Sequence, residues 1–263
     1  MRIGYLQTKI QFGRVEQNLT KAAEMVSKAR ADLMVLPELL GTGYLFNSRE
    51  ELQSLAEPYR GGITTRIMGE VAAAKNMTIV VGFAERRGHK IYNSAAVITP
   101  SGPVACYRKM HLYNEEKLYF SPGNAAAPII DIGKAKIGVM ICFDWFFPET
   151  ARSLALRGAQ IICHPSNLVM PHCPGAMPVR ALENKVFTVT ANRIGSDVRD
   201  EKKLSFIGLS QVVTPAGKIR HRAPAGREEL YVTTIDPAMA LEKNLNQYNQ
   251  VLADRRPKLY GLT

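Results

Sequence analysis

KIGVMICFDWFFPET, residues 136–150, decides how this chain is read. Ile137, Val139 and Ile141 alternate through an apolar, β-branched run, the pattern of a buried strand, and that strand delivers one cysteine, Cys142, to its end. A short loop follows, and then Pro148 and Glu149. Proline suits a first helical turn because its missing N–H would have no partner there, and the carboxylate faces the positive end of the helix dipole. Strand, loop and helix in that order are the unit of an α/β protein, in which ligands gather outside the carboxyl ends of strands. A thiol placed there is rigidly held and open to substrate. A free cysteine is also commonly a small buried hydrophobe, and one strand-end thiol brings no base with it.

Outward from this stretch the chain alternates strands with helices. IGYLQTKI reads as a strand, and from Val15 to Ala29 the residues Leu19, Ala22, Ala23 and Val26 share one helical face. In DLMVLPEL a buried strand, Leu33 to Leu36, stops at Pro37 and presents Glu38. Ile63, Ile67, Val71 and Ala74 outline a second amphipathic helix, and TIVVGFAE is a nearly continuous apolar strand of the kind covered on both faces. IYNSAAVITP and PVACYRK form a hairpin around Ser101-Gly102 that ends at Arg108-Lys109. Beyond Cys142 come a helix from Pro148 to about Arg157, the strand AQIICHPSN, the helix MPVRALENK and the strand VFTVTANR. IGLSQVVTPAGKIRH and LYVTTID read as antiparallel strands turning at Pro215-Ala216-Gly217, before a short helix near Pro237 and a basic, irregular tail.

Composition bounds the function. The 263 residues suffice for a single domain spanning 1–263, with no visible repeat and no apolar run of membrane-spanning length. The start, MRIGYLQTKI, alternates like a strand and lacks the apolar core of a signal peptide, so a cytoplasmic protein is expected. A net charge of +11 could serve a polyanion, but the basic residues of KAAEMVSKAR, RDEKK, KIRHR and DRRPK are scattered and mixed with acids. They read as solvated surface; neither a nucleic-acid nor a membrane partner is expected. Cys106, Cys142, Cys163 and Cys173 show no CxxC pair and are expected as reduced thiols.

Glu38, Lys109 and Cys142 each follow an apolar run, so each can project from the same rim of a sheet. Together they are a complete set for attack on a carbon–nitrogen bond: a thiol to attack, a carboxylate to take its proton, an ammonium to hold the oxyanion. Two rivals exist. Cys163-His164 and His172-Cys173 offer four soft ligands for zinc, although neighbours in an extended segment point to opposite faces. His111 or His164 could instead pair with a cysteine, His111 reading rather as a structural hydrogen-bonding residue.

LPELLGTGY, YRKMHL and CFDWFFPE resemble the three signature segments of the nitrilase superfamily of carbon–nitrogen hydrolases, in the same order. The likeness continues through EEKLYFSPG, HPSNL, RALENKVFTVTANRIG and GLSQVVTPAGK. It implies a four-layer αββα sandwich, a catalytic triad of Glu38, Lys109 and Cys142, no metal or organic cofactor, and a homodimer or larger homo-oligomer joined through outer helices and the last ~20 residues. By the same resemblance the N–H of Phe143 helps to hold the oxyanion and Glu116 orients the substrate, with Glu115 beside it solvated. Tyr44, Trp145 and Asn167 line or brace the pocket. Asp144 reads as a loop-fixing hydrogen-bond acceptor, and Arg180 with Glu183 as a structural pair on one helix. The superfamily's nitrilases typically carry Trp-Glu after the cysteine, whereas Phe143-Asp144 stands here. That favours a small linear amide or N-carbamoyl compound as substrate, with small aliphatic nitriles as the alternative and a non-catalytic module with a basic surface as the reading from outside enzymology.

Overall fold

The structure, a computed structural model, describes residues 1–261; Leu262 and Thr263, at the end of the tail expected to dimerise, lie outside the described residues. The first half of the chain builds one sheet. Strands β1 (Arg2–Lys9), β2 (Leu33–Val35) and β3 (Thr78–Arg87) run parallel, and β4 (Lys90–Thr99) and β5 (Gly102–Arg108) extend the sheet as antiparallel hairpins. Helices α1 (Val15–Val26) and α3 (Ile63–Lys75) cover one face, while α2 (Arg49–Leu55) lies in the connection between β2 and α3. The second half builds the other sheet from β6 (Ile129–Asp131), β7 (Lys136–Val139), β8 (Ile161–Pro165) and β9 (Phe187–Ala191), after a one-turn helix α4 (Glu116–Tyr119). Its helices are α5 (Pro148–Leu156) and α6 (Cys173–Asn184). The chain then returns to the first sheet with β10 (Arg193–Arg199) and β11 (Lys202–Ile207), to the second with β12 (Gln211–Val213) and β13 (Ile219–Arg222), and to the first again with β14 (Glu229–Thr234).

Side-chain alternation explains the layering. Along β3, Val80 points between the sheets while Ile79 and Val81 point to α1 and α3, the two-residue period of a strand buried on both faces. Ile3, Tyr5 and Val35 from the first sheet meet Val139, Ile161 and Val189 from the second in one apolar core. The result is the expected four-layer αββα sandwich. Among the described residues no helix is long and apolar enough to cross a membrane.

Three expectations are corrected. Helix α1 ends at Val26, three residues early. The buried face of α3 carries Thr64, Thr65, Met68, Val71 and Ala72, with Ile63 and Ile67 only partly buried and Ala74 exposed. The helix is turned because Thr64 is tied to Glu57, donating its backbone N–H at 2.8 Å and its hydroxyl at 2.5 Å to the carboxylate. RDEKK is surface, as expected, with Asp200 to Lys203 exposed, and its last residues open β11, a strand not read from the sequence, which pairs with β10 through a turn at Asp200, where φ is +51°. Finally, Glu38 and Lys109 follow β2 and β5 of the first sheet, whereas Cys142 follows β7 of the second. The three do not share one rim; they meet where two sheets are stacked.

Candidate active site

Glu38 is fully buried in the turn after β2, and the next residue, Leu39, holds a left-handed backbone with φ +48°. The turn is clamped to β3. Gly82 donates its N–H to the Pro37 carbonyl at 3.1 Å, and Leu40 donates to the Gly82 carbonyl at 3.0 Å. Only a glycine allows this approach: a Cβ at position 82 would stand 2.4 Å from the Glu38 Cα.

Lys109 leaves the end of β5 with its N–H donated to the Asn93 carbonyl at 2.8 Å, and its buried ammonium lies between two carboxylates. Nζ donates to Glu38 Oε1 at 2.8 Å and to Glu116 Oε1 at 2.7 Å. Asn93 Nδ2 adds a second donor to Glu38 Oε1 at 2.6 Å. Glu38 Oε2 is buried with no hydrogen-bond partner among the described residues. Burial alone would favour loss of the Lys109 proton, but the charges of Glu116 and Glu38 reverse this and raise its pKa. Burial, opposed by Lys109 and reinforced by Glu38, raises that of Glu116. Glu116 opens α4 and accepts from the Tyr44 hydroxyl at 2.5 Å and the Tyr113 N–H at 3.1 Å. It is therefore not a solvated carboxylate, whereas Glu115 is only partly buried and paired with Lys202.

Cys142 opens a single 3₁₀ turn, Cys142–Phe146, in a left-handed conformation with φ +41°. A non-glycine residue pays about 1–2 kcal/mol for that geometry, so the surroundings must hold it. Asp144 does so as expected, accepting from the Ile141 N–H at 2.9 Å, the Tyr107 hydroxyl at 2.7 Å and the His111 N–H at 3.2 Å. His111 also places Nδ1 2.7 Å from Asp144 Oδ1 and stacks on Phe147, a structural role. The Cys142 thiol is pushed well up by burial and then by the Glu38 charge, while Lys109 and the backbone of Asn167 pull it down. Its pKa thus senses all three charged groups of the site.

Two cavities flank these residues and share Tyr113. One of about 60 Å³ is walled by Cys142, Phe143, Trp145, Asn167 and Met170, almost wholly apolar; the other, about 270 Å³, touches Tyr44, Glu116, Lys202 and Lys203. The Asn167 side chain is buried with neither polar atom bonded among the described residues. Trp145 lines the cysteine cavity and accepts at its carbonyl from Arg180, which pairs with Glu183 at 3.0 Å. No cluster of metal-ligating side chains occurs among the described residues; Cys163 and Cys173 belong to the apolar core. Sequence reasoning missed Asn93, Tyr107 and Tyr113. Asn93, an amide inside the apolar strand IYNSAAV, carried a usable signal: a polar side chain there must find a buried partner. The other two carried none.

Two helix-flanked sheets that bring an acid–lysine–acid cluster against a strained cysteine define the class, an αββα hydrolase acting on carbon–nitrogen bonds. The carbon-nitrogen hydrolase family model matches residues 2–242, and the chain belongs to that family, within the nitrilase superfamily. It is 45% identical over 263 residues to a nitrilase of Pyrococcus abyssi, with 99% of each chain covered. It is 32% identical to the N-carbamoylputrescine amidase of Arabidopsis thaliana, covering 94% of this chain and 89% of that one. Among solved structures it resembles a glutamate-to-glutamine variant of the amidase from Nesterenkonia sp. AN1 carrying acrylamide on its active-site cysteine, with a TM-score of 0.81, 27% identity and 98% of each chain covered.

Proposed function

We propose that this enzyme hydrolyses a small, uncharged linear amide or N-carbamoyl compound through a thioester on Cys142. Glu38 Oε2, the unpaired oxygen, takes the thiol proton as sulfur adds to the carbonyl carbon. The C=O double bond becomes C–O⁻, held by the Lys109 ammonium and the N–H of Phe143. Collapse of that intermediate breaks the carbon–nitrogen bond as Glu38 returns its proton to nitrogen, and ammonia leaves. Water, deprotonated by Glu38, then adds to the thioester; the acid departs and the thiol is restored. Glu116 keeps Lys109 charged and aimed. The observation that carries this reading is the buried Lys109 bridging Glu38 and Glu116 beside Cys142. The apolar wall of the cysteine cavity supports a short, uncharged acyl group. A nitrile is the second reading, favoured by the likeness to the Pyrococcus abyssi nitrilase; sulfur would then add to the C≡N carbon.

A panel of small amides, N-carbamoyl amino acids, ureido acids and aliphatic nitriles, scored by ammonia release, tests both. Turnover of neutral short amides, with an acyl adduct on Cys142 by intact-mass spectrometry after rapid quenching, is expected. Turnover confined to nitriles selects the second reading, and no ammonia from any compound, or an adduct elsewhere, overturns both.

A further inference from the structure

His164, next to the last residue of β8, lies fully buried under the nucleophile turn and has no part in the chemistry above. Its Nε2 is 2.9 Å from the carbonyl oxygen of Cys142. A carbonyl can only accept, so Nε2 carries the hydrogen and Nδ1 is the bare nitrogen. Thr190 Oγ1 stands 3.1 Å from Nδ1 and supplies the matching donor. Ser166 Oγ, 3.2 Å from the His164 carbonyl, donates there and leaves its lone pairs toward Nε2 at 3.1 Å. The ring is neutral as well as locked: burial pushes its pKa down to about 4.

The Cys142 carbonyl and the Phe143 N–H are the two ends of one planar peptide group. A hydrogen bond at the oxygen therefore sets where the N–H points. It also polarises the amide, making that N–H a stronger donor. Cys142 sits in the left-handed region, so this peptide is not held by its own torsional preference.

We propose that His164 is a positioning residue for the oxyanion site: its Nε2–H orients and polarises the Cys142–Phe143 peptide so that the Phe143 N–H meets the oxygen on which charge develops. The inference rests on Cys142 being the nucleophile. Loss of a donor at an oxyanion site costs roughly 10²–10³ in kcat, and the charge exists only beyond the ground state, so KM is spared.

The test compares His164→Leu, which has no donor, with His164→Gln, whose amide can place an N–H where Nε2 stood. Two reactions are followed: hydrolysis of the best amide of the panel, and alkylation of Cys142 by iodoacetamide, in which the thiolate displaces iodide from a saturated carbon and no oxyanion forms. For His164→Leu, kcat is expected to fall about 100-fold, with KM and the alkylation rate within about threefold and substantial recovery of kcat in His164→Gln. Alkylation and hydrolysis falling together would mean that the ring merely supports the local fold, and an unchanged kcat would remove any role; either overturns the proposal. Should His164→Leu not fold, Thr190→Val, which withdraws the donor from Nδ1, is read in the same way: a kcat loss at constant alkylation rate supports the proposal, and no loss overturns it. A parent enzyme whose activity survives full alkylation of Cys142 would instead refute the nucleophile assignment itself.

Discussion

Glu38→Gln isolates the base. In the parent, Glu38 Oε1 accepts from Lys109 Nζ at 2.8 Å and Asn93 Nδ2 at 2.6 Å, while Oε2 has no partner among the described residues. A glutamine can leave its carbonyl oxygen in the Oε1 position, keeping both donors satisfied, and put its NH₂ where Oε2 was. The pocket keeps its shape, and the atom that accepts the proton becomes one that cannot. The Cys142 thiol has its pKa raised by burial, so without a base it stays protonated at neutral pH. Attack slows for want of a proton acceptor, and protonation of the leaving nitrogen is lost too; general acid–base catalysis is worth about 10²–10⁴, or ~3–5 kcal/mol of barrier. The same change removes a negative charge that disfavours the thiolate, so reaction of Cys142 with acrylamide should persist. The assay is kcat for ammonia release, alongside the mass of the acrylamide adduct and thermal unfolding as a check on folding. A folded variant that keeps kcat within tenfold of the parent would refute Glu38 as the base.

Gly82→Ala would press a methyl group against the Glu38 Cα and to within 2.8 Å of the Leu39 nitrogen, both backbone atoms that cannot swing aside. A loss of about 1–3 kcal/mol in stability and a fall in kcat larger than any change in KM are expected; denaturant unfolding and steady-state rates matching the parent would show that the turn has slack. The buried His164 makes stability depend on pH. Its pKa falls from 6.5 to about 4 on folding, so between those values the unfolded chain holds the extra proton. The contribution is fully present above pH 6.5 and is lost as pH falls through about 4, a difference of about 3 kcal/mol. Denaturant unfolding of parent and His164→Gln between pH 7 and pH 4 should diverge by about that amount, and parallel curves would rule out a neutral, buried imidazole.

Much of this protein was legible in its residues alone. A nearly continuous apolar run marks β3 through Ile79, Val80 and Val81, and the breaks at Pro37, at Ser101-Gly102 and after Ile141 mark strand ends, because backbone sterics and turn chemistry act over a few neighbouring residues. Those breaks locate Glu38, Lys109 and Cys142. The buried face of α3 was misjudged because apolarity along a helix does not know of a distant anchor: Glu57 turns the helix by binding Thr64. The β10–β11 hairpin escaped notice because much of β11 is exposed and lacks a continuous apolar stripe.

What only tertiary structure decided is the company these side chains keep. Glu38 and Lys109 come from one sheet and Cys142 from the other, so their encounter depends on how two twisted sheets stack, a long-range packing outcome with no local signature. The burial of Glu116 follows from Tyr44, far away in the chain, closing over it. The left-handed backbone of Cys142 is likewise sustained by Asp144, Tyr107 and His164. Charge state follows the same division: residue type says what can ionise, but the desolvation and opposing charges that shift a pKa exist only once the chain has closed around the group.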